Sequence, residues 1–227
     1  MDDIGANVAA VRERMAAACK AAGRPADAVR LLAVTKTFGV EAIAQAMAAG
    51  VCEFGENYLQ EAVAKISRLP REAVTWHFIG PIQSNKTRGI AETFDWVHGI
   101  DRPKIAQRLS DQRPADLPAL QVCVQVNISG EASKSGCAPE EAESLCRAVA
   151  QLPRLTLRGL MAIPAPEESG RDVRADYRRL RELFDRLRRS GLQLDTLSAG
   201  MSHDLEIAIE EGSTLVRIGT AIFGERS

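Results

Sequence analysis

The chain has 227 residues, of which 45% are hydrophobic, and a formal net charge of -1 at pH 7. This length and composition can bury a sizeable core, in one large α/β domain or in two small ones. The balanced charge gives no electrostatic reason to expect a nucleic-acid or membrane partner, and the sequence shows neither a signal-peptide pattern nor an apolar run of membrane-spanning length.

The cysteines indicate a reducing environment. They are five in number, Cys19, Cys52, Cys123, Cys137 and Cys146, and no two of them form a C-x-x-C pair. An odd number without that spacing argues against a disulfide framework and against a zinc site. We therefore expect a cytoplasmic protein without a bound metal.

Hydrophobic spacing predicts helices and strands that alternate along the chain. An amphipathic helix over 4–22 comes first, with Ile4, Val8, Val11 and Met15 on one face. Strands are predicted at 31–36, 51–54, 75–80, 94–97, 120–127, 155–160, 195–198 and 214–218, and helices at about 40–49, 57–69, 102–111, 139–151, 172–190 and 202–211, with Ser84 as a candidate cap of a further short helix.

Eight strands alternating with helices, without a long linker, predict a closed parallel (β/α)8 barrel of the TIM type. The barrel would form one domain over residues 1–227, with the helix in residues 1–25 packed on it as an addition. An open, doubly wound sheet is the alternative architecture that the same alternation allows.

The predicted helix 172–190 carries a basic surface, because eight arginines lie between Arg171 and Arg189. Val173, Tyr177 and Leu180 begin an apolar stripe along it, and acidic residues are interspersed among the arginines. We interpret the arginines as a solvated outer face of the barrel and not as a nucleic-acid site.

Lys36 ends the first strand, Leu31-Leu32-Ala33-Val34-Thr35-Lys36. Side chains alternate along a strand, so Lys36 shares the apolar face of Leu32 and Val34. A lysine in such surroundings loses hydration, which favours the neutral amine that attacks a carbonyl. A Schiff-base lysine is one interpretation, and a lysine that extends its head to solvent is the other.

Further polar and small residues follow the other strands, at the barrel end where catalytic and ligand groups of this fold lie. Hydroxyls and glycines concentrate after the last two strands, a composition that suits binding of a phosphate. Either loop alone is more typical of ordinary turn chemistry, but together with an inward lysine they fit a ligand with both an aldehyde and a phosphate, such as pyridoxal 5'-phosphate. The positions are Asn57, Tyr58, His77, Met161, Ser198, Gly200, Ser202, Arg217, Gly219 and Thr220.

Several segments also resemble those of the pyridoxal phosphate homeostasis proteins, and the resemblance runs from near Leu31 to Gly224. It implies a fold similar to the barrel domain of alanine racemase, a cofactor aldimine on Lys36, and a role in binding and supplying pyridoxal phosphate. The segments are Ala33-Val34-Thr35-Lys36, Phe54-Gly55-Glu56-Asn57-Tyr58, His77-Phe78-Ile79-Gly80-Pro81-Ile82-Gln83-Ser84-Asn85-Lys86, Gly159-Leu160-Met161, Ser198-Ala199-Gly200-Met201-Ser202-His203-Asp204 and Val216-Arg217-Ile218-Gly219-Thr220-Ala221-Ile222-Phe223-Gly224.

The resemblance assigns the site residues one by one. It places Lys36 on the aldehyde carbon and Arg217 beside the pyridine nitrogen, where a permanent positive charge opposes ring protonation and makes the cofactor a poor electron sink. His77 is interpreted as a satisfied core residue. Ser198, Gly200, Ser202, Gly219 and Thr220 are placed around the phosphate, and Asn57, Tyr58 and Met161 complete the expected cofactor-binding set.

Two main functions follow as hypotheses. The first is a monomeric pyridoxal phosphate carrier without robust turnover and without catalytic residues, for which apoenzymes that need the cofactor are candidate recipients. The second is a pyridoxal phosphate enzyme such as an amino-acid racemase. A cofactor-free aldolase that uses Lys36 on a sugar phosphate is a third.

Overall fold

The computed structural model describes residues 3–131, 134–164 and 172–225. Eight strands form one closed barrel in which each strand pairs in parallel with the next and β8 pairs with β1. The barrel prediction is thereby confirmed and the open sheet is excluded. The strands are β1 (Arg30–Val34), β2 (Glu53–Glu56), β3 (Thr75–Phe78), β4 (Trp96–Ile100), β5 (Leu120–Gln125), β6 (Leu155–Met161), β7 (Thr196–Ser198) and β8 (Leu215–Ile218).

The helices lie between the strands on the outside of the barrel. In the described ranges no helix is both long and apolar enough to cross a membrane. The helices are α1 (Ile4–Ala21), α2 (Val40–Ala48), α3 (Leu59–Ile66), α4 (Thr87–Thr93), α5 (Pro103–Gln112), α6 (Ala142–Ala150), α7 (Val173–Arg189), α8 (Leu205–Glu210) and α9 (Thr220–Phe223), with one 3₁₀ turn at Arg71–Ala73.

Several predicted boundaries are wrong. The first strand was expected at 31–36, but β1 ends at Val34, so Lys36 lies two residues beyond it. The fourth strand was expected at 94–97, but Phe94 ends α4 and β4 continues through His98 to Ile100. Ser84 does not cap α4 with its side chain, because that helix starts later and its cap residue is Lys86. The helix expected from residue 202 begins only at Leu205, after a turn whose backbone bonds differ from helical ones.

Helix α1 is an addition to the barrel and closes against the last helices. Asp3 caps it by accepting a hydrogen bond from the Ala6 amide at 3.0 Å. Asn7 donates to the Ile222 carbonyl at 2.9 Å, and Arg14 pairs with Glu206 at 2.6 Å. These contacts tie α1 to α9 and α8, so the amino-terminal helix braces the two helices that follow the last strands.

The arginines of α7 mostly pair with carboxylates on the outer surface, while Arg171 lies outside the described residues. Arg174 contacts Glu210 at 2.6 Å and Glu211 at 3.0 Å, and Arg181 contacts Asp185 at 2.7 Å. Ion pairs this exposed contribute little free energy each. Four of the seven arginines of α7 are nevertheless paired with carboxylates, in line with the interpretation of a solvated outer face.

The core has two compartments. The larger one lies between the strands and the helices and contains most of the buried apolar side chains. The barrel interior is divided into a cluster of Leu32, Val34, Ile79 and Leu215 and a cluster of Trp96, Cys123 and Met161. Between and beside these clusters lie buried polar side chains, which is unusual for barrels that are filled mainly by branched apolar residues. The interior polar residues include His77, His98, Ser198 and Arg217.

Candidate functional site

A cavity of about 240 Å³ opens at the carboxyl ends of the strands. Because parallel strands bring their carboxyl ends together at one face, residues far apart in sequence meet there. Six of the predicted site residues line the cavity: Lys36, Asn57, Ser202, Arg217, Gly219 and Thr220. The rest of the lining is Val34, Ile79, Ile163, Met201 and His203.

The backbone before Lys36 is held by a buried ionic cluster. The Lys65 ammonium donates to the Thr35 carbonyl at 2.7 Å, to Glu56 Oε1 at 2.7 Å and to Glu61 Oε1 at 2.6 Å. The Thr35 hydroxyl donates to the same Glu56 oxygen at 2.6 Å. An ammonium has three protons, so Lys65 can satisfy all three contacts at once.

The same cluster holds the backbone after Lys36. The Thr37 amide donates to Glu61 Oε1 at 2.6 Å. Thr37 has a φ of 73°, in the left-handed region that β-branched residues rarely adopt. The Glu61 carboxylate therefore secures a strained turn, and the turn directs Lys36 into the cavity from β1.

Arg217 enters the cavity from β8 and is only 4% exposed. Its Nη1 donates to the Ser198 carbonyl at 2.7 Å and to the Ser198 hydroxyl at 2.9 Å, and its Nη2 donates to the Ala162 carbonyl at 2.9 Å. Burial lowers the pKa of the guanidinium from its usual value. A guanidinium has five N–H donors, so these bonds leave donors for a ligand in the cavity.

The loop after β7 and the turn after β8 form the polar edge of the cavity. The Ser202 hydroxyl accepts a hydrogen bond from the Ala221 amide at 3.3 Å, which links the two segments. Gly200 has a φ of 96°, and a Cβ there would lie 2.6 Å from the Ala208 Cβ. Only glycine fits this position without strain, and the resulting bend presents Ser202 to the cavity.

A second contact from outside the barrel fixes the same loop. The Tyr177 hydroxyl of α7 donates to Asp204 Oδ2 at 2.8 Å, and the Met201 amide donates to Asp204 Oδ1 at 2.7 Å. Burial and the neighbouring Asp204 raise the pKa of the Tyr177 hydroxyl. A neutral phenol that donates to a carboxylate thus anchors the segment between Gly200 and Ser202.

Asn57 supplies an unused acceptor at the opposite edge. Its Oδ1 is buried and has no hydrogen-bond partner among the residues that the structure describes. The Asn57 backbone is fixed from below, because a Cβ at Gly80 would lie 2.4 Å from the Asn57 carbonyl oxygen. A buried acceptor without a partner costs free energy, and a ligand in the cavity can satisfy it.

Four predicted site residues lie elsewhere than on the cavity wall. Ser198 is fully buried, and its hydroxyl contacts His98 and Arg217, which differs from the expected phosphate contact. Met161 packs below the cavity in the barrel interior. Gly200 shapes the loop behind the wall, and Tyr58 is 58% exposed at the start of α3.

Several residues around the site had no assigned role in the sequence. His98 was missed because the predicted fourth strand stopped one residue before it. Glu61 and Lys65 lie four residues apart on α3, a spacing that predicts an ordinary surface ion pair and gives no sign that Glu56 joins them from β2. Longer-range pairs of this kind need the fold.

The comparisons with known proteins point to one family. The family model for the alanine racemase N-terminal domain matches residues 6–227. A protein of Pseudomonas aeruginosa named pyridoxal phosphate homeostasis protein is 60% identical over 100% of this chain and 97% of its own. A protein of Escherichia coli strain K12 with the same name is 54% identical over 100% of this chain and 98% of its own.

Solved structures give the same result. PipY of Synechococcus elongatus PCC7942, solved with PLP bound, is 33% identical with a TM-score of 0.82, over 97% of this chain and 100% of its own. An alanine racemase of Clostridium difficile 630 has a TM-score of 0.78 at 14% identity, over 100% of this chain and 57% of its own. The second likeness concerns the fold alone.

Proposed function

This chain belongs to the family of the pyridoxal phosphate homeostasis proteins, and from that premise we propose that it binds pyridoxal 5'-phosphate on Lys36 and supplies it to proteins that need it. One observation carries the proposal: the amine of Lys36 from the turn after β1, a guanidinium from β8 and the hydroxyls of Ser202 and Thr220 line a single cavity of about 240 Å³. Apo forms of pyridoxal phosphate enzymes are the recipients that this role requires.

The covalent step uses Lys36. Its neutral amine attacks the aldehyde carbon, a C=N bond forms, and the aldehyde oxygen leaves as water. Hydrolysis reverses the step and returns the free aldehyde, so holding and release need no other reactant. The clamped turn around Lys36 limits the positions that the amine can take, which favours this one reaction geometry.

The remaining cavity residues suit the other ends of the same molecule. Ser202, Gly219 and Thr220 offer hydroxyl and backbone groups for a phosphate at the edge formed by the β7 and β8 loops. Arg217 offers a permanent donor for the pyridine nitrogen, which is an acceptor when unprotonated. The Asn57 side chain can bond a polar ring substituent.

We propose that turnover on amino acids is slow. A two-base racemase needs a proton donor on each face of the substrate adduct, and in this chain Lys36 supplies only one. Tyr177 has its hydroxyl on Asp204, and the exposed Tyr58 is not among the residues that line the cavity. An unprotonated pyridine beside Arg217 would also stabilise a carbanion poorly.

Absorbance and labelling test the binding proposal. The purified protein incubated with pyridoxal 5'-phosphate should show a visible band that borohydride removes, and peptide mapping should place the pyridoxyl group on Lys36. Lys36→Ala should abolish the band and stay folded, with Lys86→Ala as the matched control. A label on Lys65, Lys86 or Lys134 instead would overturn the assignment, and a colourless protein would favour the aldolase hypothesis.

Exchange kinetics test the carrier proposal separately. The loaded protein is incubated with each amino acid in deuterated water, and α-proton exchange and enantiomer ratio are followed. We expect exchange far slower than enzymatic turnover. Racemisation at about 1 per second or faster would show a racemase.

A further inference from the structure

A row of polar side chains in close contact crosses the barrel interior below the cavity. Arg217 Nη1 lies 2.9 Å from the Ser198 hydroxyl, which lies 2.9 Å from His98 Nδ1. His98 Nε2 lies 2.9 Å from His77 Nδ1. The last contact is electrostatic: His77 Nε2 lies 3.2 Å from Glu53 Oε2 but forms no hydrogen bond with the residues that the structure describes. The row thus connects the cofactor end of the barrel with its opposite end.

Both histidines are completely buried, as is Ser198. Burying such groups costs free energy unless their hydrogen bonds are satisfied. Neither the fold nor the covalent chemistry of Lys36 requires two imidazoles at this place, since apolar residues fill the rest of the barrel interior. A row so placed therefore points to a role toward Arg217.

The donor properties of arginine set the direction of the row. A guanidinium can only donate, so the Ser198 hydroxyl accepts from Arg217 and gives its own proton to His98 Nδ1. His98 then carries its proton on Nε2 and donates it to His77 Nδ1. His77 in turn carries its proton on Nε2, which faces Glu53.

The opposite direction is unfavourable at both ends. If His98 donated to Ser198, the hydroxyl would accept from two donors, and its own proton would have no acceptor among the side-chain bonds of the described residues. A neutral His77 would then turn the lone pair of Nε2 toward the Glu53 carboxylate at 3.2 Å. Both problems disappear when every group donates away from Arg217.

The charges around the row keep the imidazoles neutral. Burial lowers the pKa of His77, although contact with Glu53 opposes this effect, and it lowers that of His98 further, with the charge of Arg217 adding to the effect. Arg30 adds positive charge from β1, where it pairs with Glu53 at 3.4 Å. Among the described residues, Glu53 is the only carboxylate that contacts the row directly, and it lies at the end far from Arg217.

We propose that Ser198, His98 and His77 form a one-way donor row that positions the Arg217 guanidinium at the cofactor cavity, with the Glu53 carboxylate facing the proton at its far end. The proposal rests on the proposed function, because Arg217 matters through the cofactor it faces. Ser198 is thereby a positioning residue for Arg217, and a phosphate contact is not its role.

The first test needs neither a variant nor the cofactor. The chain has only three histidines, and the exposed His203 gives the reference signal. Long-range proton–nitrogen spectra of the apoprotein labelled with ¹⁵N-histidine should show both buried imidazoles as neutral Nε2–H tautomers from about pH 8 to about pH 6. An Nδ1–H tautomer on either residue, or an imidazolium at neutral pH, would overturn the proposal.

The second test compares two buried serines. Ser198→Ala removes the link between Arg217 and His98, so the His98 tautomer signal should change and pyridoxal 5'-phosphate should bind about tenfold more weakly. Ser213→Ala is the control, because Ser213 is also buried but its hydroxyl contacts only backbone carbonyls, those of Leu197, Ala199 and Leu215. Ser198→Thr should restore the tautomer if it folds.

The two readouts separate this proposal from the function on which it rests. Equal affinity and equal tautomer signals in the Ser198→Ala and Ser213→Ala variants would contradict the positioning role. If the wild-type protein fails to bind pyridoxal 5'-phosphate but shows both Nε2–H tautomers, the donor row stands and the proposed function falls.

Discussion

Two cationic side chains face the same cavity, and the structure holds them in opposite ways. The turn that carries Lys36 is fixed by full charges, because Lys65 lies between Glu56 and Glu61 at 2.7 and 2.6 Å. Arg217 is fixed by neutral groups, namely two backbone carbonyls and a serine hydroxyl backed by two histidines. One side is an ionic clamp and the other is a row of dipoles.

The difference between charged and neutral contacts predicts how a substitution on each side of the cavity changes the free energy of unfolding. When one member of a buried ion pair is removed, the other charge remains buried without compensation, which costs more than the pair contributed. When one neutral hydrogen-bonding group is removed, only that bond and a modest desolvation term are lost. The Lys36 side should therefore be sensitive to single substitutions, and the Arg217 side to the protonation of its imidazoles.

The largest expected effect is that of Lys65→Met. The substitution leaves Glu56, which is fully buried, without its ammonium partner. We expect the free energy of unfolding to fall by about 3–5 kcal/mol, measured by urea denaturation at neutral pH. Lys104→Met on the exposed face of α5 is the matched control and should change it by less than about 0.5 kcal/mol.

The double variant Lys65→Met with Glu56→Leu sharpens this result. Removing both charges leaves no unpaired group, so the loss should be smaller than that of Lys65→Met alone. If the double variant is as unstable as the sum of the single ones, the ionic clamp is not a coupled unit. The comparison between the two sides of the cavity would then be wrong.

Some of the difference between the Lys36 side and the Arg217 side could be predicted from the sequence and some could not. Strand alternation predicted the inward direction of Arg217, and the alternation of elements was enough to predict the barrel. Lys36 also lines the cavity, but it lies two residues beyond the end of β1, in the turn that Glu61 holds. The sequence did not reveal that Ser198 is fully buried. Strand β7 is only three residues long, and its register depends on pairing with β6 and β8.

The polar row was out of reach for a similar reason. His77 was interpreted as a satisfied core residue. It is fully buried and its Nδ1 lies 2.9 Å from His98 Nε2, but its Nε2 has no hydrogen-bond partner among the described residues. However, its partners come from β2 and β4, and Ser198 comes from a strand about a hundred positions away in sequence. Barrel closure creates these neighbours, and no local pattern encodes them.

The second expected effect is a pH dependence that comes from the Arg217 side. Burial keeps the pKa of His77 and of His98 below the ordinary value near 6.5, so the unfolded chain binds protons that the folded chain does not. Stability is then complete above about pH 6.5 and falls below it, by up to about 1.4 kcal/mol per pH unit for each histidine.

Urea titrations at several pH values measure this slope. His203→Gln removes only an exposed imidazole and should leave the slope between about pH 6.5 and pH 5 unchanged. The double variant His77→Gln with His98→Gln should flatten it. Losses that begin only below about pH 4.5 would belong to carboxylates and would contradict the assignment to the donor row.

The smallest expected effect concerns the loop that lies between the two sides, and the variant is Tyr177→Phe. It removes the 2.8 Å bond to Asp204 but keeps the aromatic ring in its buried position, so unfolding should become easier by only about 1 kcal/mol. Since Asp204 also holds the Met201 amide, the polar edge of the cavity should loosen while the Lys36 clamp and the donor row stay intact. Binding of pyridoxal 5'-phosphate should therefore weaken a few-fold, whereas binding of pyridoxal, which has no phosphate, should not change.

Tyr58→Phe, at an exposed tyrosine near the same end of the barrel, is the control. An equal loss of affinity for both ligands would mean that Tyr177 affects the barrel as a whole. The Lys36 side and the Arg217 side of the cavity would then not respond independently to substitution.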